Sequence, residues 1–153
     1  MRDLGLVKEY LGLQVKRDQA HRVLYFHQIP YAVKILKRFG LEQSKPVRTP
    51  LPSGYISHPA PVGYNATPEL RTKYQSIIGS LLFIMLGTRP DIAFAVIRMS
   101  QYMANPTEEH AQKSLHIVRY LTSTQNLGLE FTGLQHRLEA YADSDWAGDP
   151  ESH

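Results

Sequence analysis

Cysteine is absent from the 153 residues, which excludes a disulfide framework and any thiolate metal site. Long apolar runs are absent too. The longest, Leu81 to Leu86, falls far short of the roughly 20 residues that span a bilayer. The opening MRDLGLVKEY is charged and lacks the apolar core of a secretory signal, so an intracellular setting without export or membrane insertion is the expectation. No glycine-rich phosphate loop and no Gly-x-Ser-x-Gly elbow occurs, so the usual small-molecule and serine-hydrolase motifs are missing. None of the seven histidines pairs at i, i+4. His110 and His116, six apart, lie about 240° around a helix from each other and cannot share a metal. No two aspartates are adjacent, and Trp146 is the lone tryptophan, a packing residue or a base-stacking platform.

Charge is present but uneven. Residues 1–50 carry ten Lys/Arg against four Asp/Glu, whereas residues 105–153 carry three against eight. A basic front suits a polyanionic partner, and an ordinary solvated face is the alternative. In that front, Leu11 to Lys16 and Arg22 to His27 read as a β-hairpin, by alternation in the first run and β-formers in the second. Pro30 to Phe39 reads as a short helix with Gly40 as its stop. Lys34, Lys37 and Arg38 fall off its apolar face, where they either follow a phosphate backbone or simply meet water. Residues 44–68 hold six prolines and two glycines. That composition forbids a helix interior or central strand and implies an extended surface linker.

Tyr74 to Leu121 is the organising stretch. Tyr74, Ile77, Ile78, Leu81, Leu82 and Met85 mark one helix face, with Gly87 as a left-handed stop. Thr88 is the expected N-cap of a second helix bearing Ile92, Ala95, Val96 and Met99. Thr107 or Asn105 is expected to cap a third, facing the core with Ala111, Leu115, Val118 and Leu121. A second hairpin is expected from Gly128–Thr132 and Arg137–Ala142. The fold class is therefore α/β in the loose, α+β-like sense. The segments are 1–43 (hairpin and short helix), 44–68 (linker), 69–126 (three-helix core) and 127–153 (terminal hairpin of an incomplete domain).

A strand ending in a carboxylate, with another two positions on, supplies one wall of a two-metal site, because hard divalent cations want clustered oxygen ligands. Asp143 and Asp145 have that spacing.

Several blocks resemble one family. Y-Q-S-I-I-G-S-L-L-F, R-P-D-I-A-F-A-V and H-A-Q-K-S-L-H-I-V-R-Y-L, in that order, are similar to the copia-type LTR retrotransposon Pol polyprotein, between the reverse-transcriptase palm and RNase H. Y-L-G-L-Q-V resembles the primer grip of reverse transcriptases, implying nucleic-acid contacts at Tyr10, Leu11, Gly12 and Leu13. I-L-K-R-F-G-L resembles the entrance to the thumb, with Lys34, Lys37 and Arg38 on its helix. Y-A-D-S-D-W-A-G-D resembles the opening of copia-type RNase H, implying Asp143 as the first catalytic carboxylate and metal ligand and Asp145 as a second candidate. The remaining acids of such a site are expected beyond His153. The Tyr-x-Asp-Asp polymerase turn is expected upstream of Met1.

The resemblance thus implies RNA-directed DNA synthesis and RNA-strand cleavage for the parent, with Mg²⁺ as its cofactor. For this chain it implies a fragment inactive alone that needs no cofactor. The implied partners are an RNA/DNA hybrid or duplex DNA and the rest of the polyprotein. The implied setting is the cytoplasm, a virus-like particle or the nucleus. A free-standing nucleic-acid-binding module and an inert transposon relic are the rival expectations.

Overall fold

A computed structural model describes residues 5–133 and 140. Among the described residues, helices combine with a four-stranded antiparallel sheet whose strands lie before the first helix and after the last. The strands are β1 (Glu9–Tyr10), β2 (Leu13–Asp18), β3 (Val23–His27) and β4 (Gly128–Thr132). The helices are α1 (Ile29–Arg38), α2 (Pro68–Gly87), α3 (Ala93–Ser100) and α4 (Glu108–Thr124), with a single 3₁₀ turn at Pro90–Ile92.

The front hairpin forms between β2 and β3, with Val15 opposite Phe26 and Arg17 opposite Leu24. Its first strand begins later than the alternation predicts. Leu11 and Gly12 both have positive φ, 51° and 81°, the signature of a two-residue type I′ turn. They therefore leave the strand and fold Tyr10 back against Leu13. At the other end, β4 pairs with β3, setting Leu129 opposite Phe26 and Phe131 opposite Leu24. Residues 137–139, 141 and 142 of the expected terminal hairpin lie outside the described residues.

One sheet face is mostly apolar, carrying Val15, Leu24, Phe26, Leu129 and Phe131 with Arg17 opposite Leu24; the other carries Gln14, Lys16, Tyr25 and Glu130. Strands pack chiefly on strands and helices on helices. Among the described residues the mostly apolar face therefore stays partly open: Leu6, Val7 and Tyr10 lie by Val15, Leu24 and Phe26, and Phe131 is 52% exposed.

The core lies among the helices. Tyr74, Ile77, Ile78 and Leu81 of α2 are fully buried against Ile92, Val96 and Met99 and against Ile117, Val118 and Leu121. Leu82, Met85 and Leu115 are only half-buried, while Ile84 and Ile117 are fully buried. The Tyr74 hydroxyl donates to the Met99 carbonyl at 2.5 Å, and burial pushes its pKa up to about 12. The short helix α1 adds Ala32, Ile35 and Leu36, packing on α2 and α4.

Two caps differ from expectation. Gly87 is the last residue of α2 and is not left-handed; Thr88 closes the helix with φ −145°. Gly87 is small for another reason: a Cβ there would run into the buried Gln28 amide. Thr88 does not start the next helix. It is buried, and its hydroxyl donates to Gln28 Oε1 at 3.0 Å. Gly87→Ala should cost about 1–3 kcal/mol by overpacking this joint, read as a lower urea midpoint with unchanged slope. Thr107 does cap α4, in a capping box whose third residue is His110. Asn105 instead accepts from Ala66 N–H at 2.8 Å and donates to the Tyr64 carbonyl.

Residues 44–67 hold neither helix nor strand, as their five prolines require. They form a strap laid along α4. Every third residue of that helix meets the strap. His110 Nε2 faces the His58 carbonyl at 2.9 Å, and Lys113 Nζ sits 4.7 Å from the Tyr55 ring centroid. His116 Nε2 faces the Thr49 carbonyl at 3.1 Å, Arg119 donates twice to the Lys45 carbonyl, and Thr122 lies 3.4 Å from Ser44 Oγ. Positions three apart form an oblique ridge on a helix, so the strap crosses α4 along that ridge, running opposite to it.

Candidate nucleic-acid interface

The tight turn between β1 and β2 presents its side chains outward. Leu11 is 76% exposed and Tyr10 64%, while Leu13 is half-buried. Gly12 serves two purposes. Its φ of +81° suits glycine, and a Cβ at this position would lie 3.4 Å from Phe83 Cζ on α2. The turn thus leans on α2. Phe83 in turn meets Tyr31 of α1 edge-on, with centroids 4.7 Å apart. One aromatic ring therefore braces both the turn and the cationic helix.

The cations sit where the sequence places them. Lys34, Lys37 and Arg38 are all exposed and fall within about 100° of helix arc, opposite buried Ile35 and Leu36. Lys37 and Arg38 lie in the last turn, where positive charge complements the helix dipole. The Arg38 guanidinium lies 5.6 Å from the Phe39 ring centroid. Arg38 also edges a groove with Thr72, Lys73 and Ser76 of α2. Preformed donors on a convex helix, next to a backbone turn that can be approached closely, suit a phosphate chain better than a compact ligand.

Asp143, Asp145 and Trp146 lie outside the described residues. Among the described residues no cluster of three His, Asp or Glu side chains could hold a metal. No helix there is long and apolar enough to cross a membrane. Sequence reasoning missed Phe83, whose signal was an aromatic residue off the buried stripe of α2. It also missed Lys73, whose exposure beside Arg38 depends on how α1 and α2 pack.

No family model matches the chain, and no solved structure matches it. The chain is 37% identical over 153 residues to the retrovirus-related Pol polyprotein from transposon TNT 1-94 of Nicotiana tabacum, a match over 97% of this chain and 11% of that polyprotein. It is 40% identical over 147 residues to the Pol polyprotein from transposon RE1 of Arabidopsis thaliana, across 94% of this chain and 10% of the other. An uncharacterized mitochondrial protein of Arabidopsis thaliana is 36% identical over 149 residues, across 97% of this chain and 59% of its own length. The chain thus spans about a tenth of the two polyproteins.

Proposed function

Because this chain is homologous to a stretch of retrovirus-related Pol polyproteins from plant transposons, we propose that it is a copia-type segment from the region where reverse transcriptase runs into RNase H, and that it holds nucleic acid without catalysing. One observation carries this reading: an exposed Leu11–Gly12 turn and the cationic face of α1 are braced by the same ring, Phe83. Lys34, Lys37 and Arg38 contact phosphates, which fix register without reading sequence. Tyr10 to Leu13 offer backbone and apolar contacts to a strand end. Asp143, with Asp145 as a second candidate, is a partial RNase H site that takes Mg²⁺ only when further acids complete it. Alone, it neither retains the ion nor cleaves RNA, because Mg²⁺ sheds water reluctantly and wants octahedral oxygen ligands.

The partner is an RNA/DNA hybrid or duplex DNA, bound without sequence preference with Kd on the order of 10⁻⁴–10⁻⁶ M near physiological salt. Changing Lys34, Lys37 and Arg38 together to Ala should lower the salt slope of hybrid binding by about 2–3. Fluorescence anisotropy across a salt series measures it, and an unchanged slope would assign these cations to solvent alone. Primer extension with purified chain, template, primer and Mg²⁺ should yield nothing above background.

A free-standing module is the second reading. It is favoured by the match to more than half of the short mitochondrial protein. A monodisperse monomer that unfolds cooperatively and keeps the salt slope would support it.

A further inference from the structure

Helices α1 and α2 run past each other in opposite directions. Tyr31, in the first turn of α1, meets Phe83 near the end of α2. Arg38, at the end of α1, edges an open groove with Thr72, Lys73 and Ser76 near the start of α2. Lys34 lies three residues after Tyr31 and four before Arg38, so it stands on the same edge of α1. On α2, Thr72, Ser76, Gly79 and Phe83 fall within about 60° of helix arc. The two rows border one shallow valley. It begins at Phe83, on which the Leu11–Gly12 turn leans, and ends between Arg38 and Lys73.

Gly79 is the unexplained member of that row. It is exposed in the middle of α2, with φ outside the left-handed region. Glycine there weakens a helix relative to alanine. Packing does not call for it: among the described residues nothing lies within 4 Å of where its Cβ would stand. A glycine on an open face lets the backbone of another molecule come close. The side chains around this opening select the charge of that molecule. Lys34, Arg38 and Lys73 are exposed, and among the described residues no carboxylate pairs with any of the three.

We infer that one nucleic-acid strand lies along this valley, its phosphate backbone crossing α2 at Gly79 between the Leu11–Gly12 turn and the Arg38–Lys73 end. The inference rests on the nucleic-acid reading above and adds the path of the strand, with α2 as a second phosphate-contacting element. Lys34 and Arg38 hold the strand from the α1 side and Lys73 from the α2 side, while Thr72 and Ser76 offer hydroxyl donors between them. Thr72 to Phe83 covers about 16 Å of helix axis. One strand sets a phosphate every 3.4 Å or so along its axis, so the valley spans about five. Glu69, exposed in the first turn of α2, lines the far end of the same groove. Its negative charge marks where the track stops.

Two measurements with a fluorescein-labelled RNA/DNA hybrid of mixed sequence test the path. Counterion release makes one phosphate contact worth about 0.9 in salt slope, or roughly tenfold in affinity at about 0.1 M salt. Lys73→Ala should therefore lower the slope by about 1 and raise Kd roughly tenfold at that salt. The second measurement reads position 79 directly. The chain lacks cysteine, so Gly79→Cys carries a single thiol at a site whose Cβ has room. With hybrid at about ten times Kd, about a tenth of the chain stays free, and labelling by iodoacetamide should slow about tenfold. Phe94→Cys, exposed on α3 beside the strap, should label at an unchanged rate.

An unchanged slope in Lys73→Ala, or full-rate labelling at position 79, overturns the inference. So does equal protection at 79 and 94, which would be indiscriminate coating. If Lys34, Lys37 and Arg38 still set the salt slope in those cases, α1 alone holds the strand and the proposed function stands. If the slope ignores them as well, the nucleic-acid reading falls with the path.

Discussion

Replacing Arg89 by Met should cost about 3 kcal/mol of stability, the low end of the 3–5 kcal/mol typical when one partner of a buried ion pair is removed. Arg89 is 1% exposed, yet every part of its guanidinium is used. Nε and Nη2 donate to the two Asp91 carboxylate oxygens at 2.8 and 2.6 Å. Nη1 donates to the Thr124 carbonyl at 2.9 Å, and Nη2 also donates to Thr124 Oγ1 at 2.8 Å. The Tyr120 ring lies 5.7 Å from the guanidinium carbon. One residue therefore ties the α2–α3 corner to the C-terminal end of α4, where unpaired carbonyls and the helix dipole both call for a cation.

Methionine would keep the volume but take the cation from the Asp91 carboxylate and leave the Thr124 carbonyl with the Leu127 N–H at 3.0 Å. Asp91 retains some water, with 33% of its side chain exposed, which is why the low end applies. Urea unfolding followed by circular dichroism would show a lower midpoint at unchanged slope. Arg89→Lys should lose less, keeping the charge without the planar fork. Burial pushes the Asp91 carboxyl up, but the hydrogen bonds and charge of Arg89 outweigh it and leave the pKa below the ordinary 3.8. The contribution of the pair is thus present above about pH 3.8 and fades as pH drops through the lower folded value. A loss under 1 kcal/mol in Arg89→Met would show that this corner is held by packing alone.

The second large effect is on association. The apolar sheet face carries Val15, Leu24, Phe26, Leu129 and Phe131, with Phe26 and Phe131 in edge contact at 5.7 Å. Leu6, Val7 and Tyr10 extend it, all more than half exposed. Patches beyond a few hundred Å² on a monomer drive association, and a sheet normally buries one face against a second layer. The purified chain should sediment as oligomers at micromolar concentration. Phe131→Lys, at an already exposed position, should move most of the mass to monomer without lowering the unfolding midpoint. A wild-type chain that stays monodisperse across that concentration range would remove the argument.

The helices were legible because their signals are local. The Ile92, Ala95, Val96 and Met99 stripe follows from spacing alone, and the cap of α4 was narrowed to Thr107 or Asn105, of which Thr107 serves. Leu11 and Gly12 were harder: alternation puts them in a strand, but the preference for a type I′ turn wins. The pairing of β4 with β3 was not legible, because Gly128–Thr132 carries no mark of which edge it will join. Arg89 was hidden in the same way, since a cation beside Pro90 reads as solvated until α4 arrives. The ladder on α4 was half visible. His110 and His116 diverge as metal ligands, but with Lys113 and Arg119 between and beyond them they make a run of donors at every third position. What they would grip was unreadable, because the linker offers backbone carbonyls rather than side chains. At the candidate interface the cations of α1 were readable and their brace, Phe83, was not.

The last strand pairs with a partner about a hundred residues earlier: Val23 lies opposite Thr132 and His27 opposite Gly128. Every helix of the described chain is enclosed between those two partners. During synthesis the outer edge of β3 must therefore wait, unpaired, until all four helices have left the ribosome. Pairings of such high sequence separation are slow, since loop closure precedes any gain. For that interval the nascent chain offers an open strand edge next to an apolar face, the combination most prone to wrong partners. Aggregation during expression should thus depend on translation speed through residues 68–132 as much as on the stability of the finished fold.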